Sequence, residues 1–280
     1  MKPLLIGLLF MAHLLSSAWA QAIPTHAAGL SEELLEVHID GGTQRAVISR
    51  RQGQSVPSKL LVLLPGYPSV VRPEMGQGVM MSSALTGNFL IRARRHLVTE
   101  KVMTLLVDCH SQKGDMCSPE YQASKERYLH VKAVIDAAKA KFPAVKEVYL
   151  LSTSMGSISS AFIALNGQQE FAGVIHTASI DPTVPKSYVQ LKNFDYAAIK
   201  TPQAFIHHVE DPCVLTSYAY IRTVAEKYKV PLVSVSGGSD FQGHPCQAFT
   251  QHGFRNKETV VMRHVLKMLD TLPWESVDLQ

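Results

Sequence analysis

Short apolar runs alternate with longer periodic stretches along most of this chain. Residues 33–39 and 45–49 flank Gly41-Gly42 and read as two strands of an opening hairpin. From Lys59 to Leu64 the chain is almost continuously apolar, as expected of a strand covered on both faces. The order then becomes regular: a helix at 89–99, a strand at 102–107, a helix at 126–142 and a strand at 148–151. In the helix at 126–142, Tyr128, Val131, Ile135, Ala138 and Phe142 share one side. Pro143 stops it, because proline has no N–H to continue the ladder. A small-residue helix at 157–164 follows, then strands at 172–176 and 204–208, a helix at 216–229, a strand at 232–235 and a last helix at 257–272.

Strands separated by crossover helices lie parallel, and the common hand of the crossovers puts helices on both faces. The expectation is an α/β protein: a three-layer α/β/α sandwich around a mostly parallel central sheet of about eight strands. No repeat, low-complexity segment or linker breaks the rhythm, so residues 21–280 are expected to form a single domain.

The N-terminus changes the picture of where the protein works. Lys2 is followed by an apolar run from Leu4 to Leu15 and by Ala18-Trp19-Ala20, the small-residue spacing that a signal peptidase reads. Residues 1–20 therefore read as a signal peptide, and the protein as exported, periplasmic or secreted. The run is shorter than the roughly 20 residues that span a bilayer, and no later stretch is long and apolar enough, so no membrane span is expected. Four cysteines in an exported chain favour two disulfides. Cys109 with Cys117 would close a short loop, and Cys213 with Cys246 would tie two distant segments. The formal charge of +4 includes Lys2 and gives no reason to invoke nucleic acid. Arg92, Arg94, Arg95 and His96 form the densest basic cluster, read as the solvated side of the helix at 89–99, opposite Phe89, Ala93 and Leu97.

Candidate chemistry centres on Ser152-Thr153-Ser154-Met155-Gly156, which joins the strand at 148–151 to the small-residue helix. Such a turn strains its central serine into a projecting position above the helix N-terminus, and Ser154 is the expected nucleophile. Ser152 stands where the usual G-x-S-x-G pattern has glycine. A serine needs a base to take its proton and a carboxylate to orient that base. Asp211 follows the strand at 204–208 and is the leading acid, with Asp181 and Glu210 as competitors. His252, in His252-Gly253-Phe254 ahead of the last helix, is the leading base, with His244 as the alternative. Oxyanion donors are expected at the backbone N–H of Met155 and of Tyr67, in the Leu64-Pro65-Gly66-Tyr67-Pro68 loop.

Taken together, the order of elements, the Pro65-Gly66-Tyr67 loop, the Ser154 elbow, Asp211 and His252-Gly253-Phe254 resemble the α/β-hydrolase superfamily over nearly all of residues 21–280. That resemblance implies a metal-independent acyl-enzyme mechanism with no cofactor and a small-molecule ester or related acyl substrate. The segment 181–200 is too short for a large cap, and residues 69–87, bearing Met75, Met80, Met81 and Leu85, could line an acyl pocket. Two other readings stand beside it: an exported metal-binding protein using His207, His208, Glu210, Asp211, His244 and His252, and an inactive hydrolase scaffold used for binding.

Overall fold

A computed structural model describes residues 22–53, 56–185 and 188–280, so the expected signal peptide lies outside the described residues. The chain opens with strands β1 (Leu30–Ile39), β2 (Gly42–Arg51) and β3 (Lys59–Leu64), then a small ribbon of β4 (Glu74–Gly76) and β5 (Val79–Ser82). Next come α1 (Phe89–Arg92), β6 (Val102–Val107), α2 (Pro119–Gln122), α3 (Lys125–Lys141), β7 (Glu147–Thr153), α4 (Gly156–Asn166) and β8 (Gly173–Thr177). The chain closes with β9 (Gln203–His208), α5 (Tyr218–Tyr228), β10 (Leu232–Val235), α6 (Glu258–Asp270) and β11 (Val277–Leu279).

Nine of these strands form one sheet in the order β1-β2-β6-β3-β7-β8-β9-β10-β11. β2 runs antiparallel to both of its neighbours, and all the other neighbouring pairs are parallel. The ninth strand, β11, exceeds the expected count because three residues are too few to show a period. Alternation along β3 sorts its side chains between two cores. Leu61 and Leu63 face α1 and α6, packing with Phe89, Val261 and Val265. Leu60, Val62 and Leu64 face α3 and α4, packing with Val131, Ile135 and Ile163.

Helix ends follow local chemistry. Ser124 Oγ accepts from the Arg127 N–H at the start of α3, and the helix ends just before Pro143.

The expected helix at 89–99 is corrected. Its first turn, α1, leaves α geometry at Ala93 and continues as a 3-10 turn over Arg94–His96. The change of twist carries Arg94 inward, where it is fully buried against Glu32, with Nε–Oε1 at 2.7 Å and Nη2–Oε2 at 2.8 Å. Glu32 also accepts from Ser49 Oγ at 2.5 Å and from the Met80 N–H at 2.7 Å. The basic cluster is therefore not one solvated face: Arg94 is a core ion pair, and Arg92 is half-buried on Glu258.

The parallel registers put Leu64 beside Ser152, Thr153 beside Thr177 and Thr177 beside Ile206. The loops after β3, β7, β8 and β9 consequently leave the sheet at one edge, where the expected chemistry converges.

Candidate active site

Ser154 sits in the sharp turn between β7 and α4 with φ of 53°, a left-handed conformation unfavourable for a residue with a side chain. Its N–H donates to Thr177 O at 3.0 Å, and its carbonyl accepts from the Ser157 N–H at 2.8 Å, which anchors the strained residue on both sides. Glycine is required two residues on. A Cβ on Gly156 would lie 2.2 Å from Leu64 O and 2.7 Å from Pro65 O. Gly66 lets the loop after β3 press onto the elbow, since a Cβ there would lie 2.9 Å from Ser154 Cβ. Ser152 is tolerated in place of glycine because its hydroxyl is absorbed by a buried chain: Ser152 Oγ to Ser160 Oγ at 2.7 Å, and Ser160 Oγ to His176 Nδ1 at 2.7 Å.

The structure brings Asp211 and His252 together. Asp211 Oδ2 lies 3.0 Å from His252 Nδ1, and their side chains are 1% and 7% exposed. An ionised carboxylate only accepts, so Nδ1 carries the ring proton and Nε2 is left as the basic nitrogen. Thr216 Oγ1 stands 2.9 Å from Asp211 Oδ2 and 3.0 Å from His252 Nδ1, and the Cys213 N–H donates to Asp211 Oδ1 at 2.9 Å. Gly253 has no substitute, because a Cβ would lie 1.9 Å from Ala248 O.

The competitors are placed elsewhere. Asp181 Oδ1 accepts from the N–H and hydroxyl of Thr183. Glu210 and His244 are exposed. Of the six residues weighed as a metal site Asp211 and His252 meet, but among the described residues no group of three or more His, Cys, Asp or Glu is arranged to hold a metal ion. His207 accepts the Ser179 N–H at 2.5 Å, and burial pushes its pKa down to about 4. His208 Nε2 is instead 2.7 Å from Gly237 O. Burial likewise pushes His176 down to about 3, so both buried imidazoles are neutral at ordinary pH.

Ser154 and His252 share a hollow of about 500 Å³ with Tyr67, Phe89, Ile180 and Phe249. Of the residues expected to line it from 69–87, Leu85 does so. Met80 instead packs into the core and Met75 against it, because the β4–β5 ribbon turns them inward. Both expected disulfides are present, Cys109–Cys117 with Cα atoms 5.5 Å apart and Cys213–Cys246 with Cα atoms 4.5 Å apart. The second joins the Asp211 segment to the His252 segment at the wall of the hollow.

Sequence reasoning missed the tether of the loop after β3. Ser69 Oγ lies 2.8 Å from Pro65 O and 3.0 Å from Gly66 O, and the Cys117 N–H donates to Pro68 O at 2.9 Å. Gln122 Nε2 donates to Cys117 O at 2.9 Å and its Oε1 accepts from Ser159 Oγ at 2.9 Å, linking the loop to α4. Thr216 was also missed; its position five residues after an acid is the sole local signal.

No protein-family model matches the chain, and no curated protein matches it. Solved structures do. Est1E from Butyrivibrio proteoclasticus is 14% identical with a TM-score of 0.55, over 84% of this chain and 97% of that one. A cold-adapted esterase from an Arctic intertidal metagenomic library is 12% identical with a TM-score of 0.58, over 89% and 98%. An α/β serine hydrolase without lid from Xanthomonas campestris is 14% identical with a TM-score of 0.57, over 88% and 98%. With its parallel sheet, its two helical layers and its strained serine at the carboxyl edge, this chain has the α/β-hydrolase fold.

Proposed function

We propose that the protein is an exported serine hydrolase that cleaves carboxylic esters through an acyl-enzyme on Ser154. The single observation that carries the reading is the buried Asp211–His252 pair, held at 3.0 Å, with His252 in the wall of the hollow that Ser154 also lines. In the first step Ser154 Oγ attacks the ester carbonyl while His252 Nε2 takes its proton. The oxyanion is received by the backbone N–H groups of Met155 and Tyr67, each such donor being worth about 2.7–4 kcal/mol in the transition state. His252 then returns the proton to the departing alcohol oxygen, leaving the acyl group on Ser154. Water, deprotonated by His252, attacks that carbonyl, and collapse releases the acid and restores the hydroxyl. Asp211 holds the ring in the productive tautomer and stabilises its charged form throughout.

The fold by itself does not select the bond, and an acylaminoacyl peptidase from Pyrococcus horikoshii is among the similar structures. The ester is chosen because its alcohol leaves more readily than an amine. The esterases among the similar structures point the same way. Export is supported by the two disulfides, which persist in oxidising compartments. Among the described residues no helix is long and apolar enough to cross a membrane.

The test is labelling with a fluorophosphonate followed by peptide mapping, alongside hydrolysis of short p-nitrophenyl esters. The adduct is expected on Ser154, with both labelling and turnover lost in Ser154→Ala. Labelling that survives that substitution would refute the assignment.

A further inference from the structure

Beyond Phe249 the catalytic hollow meets a second one. This groove has a volume of about 410 Å³ and is lined by Arg92, Arg95, Arg255, His26, His96 and Glu258, among others. Gly87 and Phe249 line both hollows, so the two are neighbours on either side of one ring.

The groove has more positive charge than its own carboxylate can neutralise. Glu258 is taken by Arg92, whose Nε and Nη2 approach it at 3.1 and 2.9 Å. Arg92 also donates to Gly87 O and Gly253 O, so most of its donors are committed to the protein. Arg95 donates to Thr25 O at 2.8 Å, and neither it nor Arg255 has a carboxylate within 4.0 Å among the described residues. Arg255 Nε is buried with no hydrogen-bond partner, a costly state for a charged donor. The Arg255 and Arg92 guanidinium carbons each stand 5.2 Å from the Phe249 ring centre, so two cations crowd one ring and repel. An anion in the groove beside Arg255 would offset that repulsion, Arg95 lines the same groove, and the planar guanidinium fork fits a carboxylate or phosphate.

We propose that this groove is an anion-binding subsite that receives a carboxylate or similar anionic group carried by the ester processed at Ser154. The inference rests on the serine-hydrolase reading for its link to catalysis. It deepens that reading into a substrate class: an ester whose apolar or aromatic portion lies along Leu85, Phe89 and Phe249 and whose far end is negatively charged.

Two arms locate the anion. On the acyl side, p-nitrophenyl monoesters of the dicarboxylic acids from glutarate to suberate are compared with neutral alkanoate esters of equal length. On the alcohol side, 4-acetoxybenzoate is compared with its methyl ester. At low ionic strength one anionic series is expected to have a kcat/KM at least tenfold above its neutral counterpart. In Arg95→Gln/Arg255→Gln that ratio is expected to fall at least fivefold, with Arg95→Lys/Arg255→Lys recovering part of it. A ratio near one in both arms overturns the proposed substrate class. Calorimetric titration of the protein with suberate reads the groove without catalysis, and a dissociation constant at least tenfold weaker in the glutamine double variant is expected. No saturable binding, or equal binding by both proteins, overturns the subsite whatever the esters do. If suberate binds as expected but no ester is turned over and Ser154 is not labelled, the hydrolase reading fails and the anion site stands.

Discussion

His252 Nδ1 is held from two directions, by a carboxylate that fixes its proton and by a hydroxyl that bridges to the same carboxylate. Asp211→Asn keeps the shape but can no longer fix the tautomer, and kcat is expected to fall by roughly 10⁴. Thr216→Val removes the hydroxyl that contacts both Asp211 and His252, worth about 1–1.5 kcal/mol, for a loss of roughly fivefold to tenfold. Steady-state kinetics on a p-nitrophenyl ester check both, and equal losses would mean that Thr216 matters as much as the acid. The buried ion pair gives a separate expectation. Glu32→Leu would leave Arg94 uncompensated and lower stability by roughly 3–5 kcal/mol in urea unfolding, whereas a change under 1 kcal/mol would contradict the burial of that charge. The sharp turn at Ser154, marked by Met155-Gly156, and the loop position of His252, marked by Gly253, were legible in the sequence. The partner of Arg94 was not, since Glu32 lies 62 positions away and no local pattern links them.

Elements were legible where their length and periodicity were clear. α3 and α6 lie within a few residues of the expected helices, and β10 coincides with the expected strand at 232–235. Failures came where packing overrode the local period. The helix expected at 89–99 breaks at Ala93 because the buried demand of Glu32 is met by turning Arg94 inward. Strands β4, β5 and β11 are each four residues or fewer and carry no period. Between elements, the Cys213–Cys246 bridge spans 33 positions and joins the Asp211 segment to the His252 segment. In the chain-entropy account a closure of this length stabilises by about 3–4 kcal/mol. Cys213→Ser/Cys246→Ser is expected to lose stability of that order in urea unfolding and to lower kcat as the two segments drift. Unchanged stability and kcat would show that the bridge holds nothing the loops do not hold themselves.

Over the whole molecule, buried neutral histidines tie stability to pH. His176 and His207 have folded pKa values of about 3 and about 4, against an ordinary 6.5. Between those values the unfolded chain binds protons that the folded chain refuses, so this contribution is fully present above about pH 6.5. It is lost as pH falls, at up to roughly 1.4 kcal/mol per pH unit for each histidine. Urea midpoints measured from pH 7.5 down to 5 are expected to decline, with a shallower slope in His176→Gln; a flat profile would contradict the burial of both rings. The sequence by itself determined the alternation of strands and helices, the elbow serine, the cysteine complement and the chain order of serine, acid and histidine, because each is written in local spacing. Only the tertiary structure decided which acid and which histidine meet, which arginine is buried and which wall separates the hollow from the basic groove. Those outcomes depend on side chains far apart in sequence that approach one another only after the sheet has fixed its strand order and register.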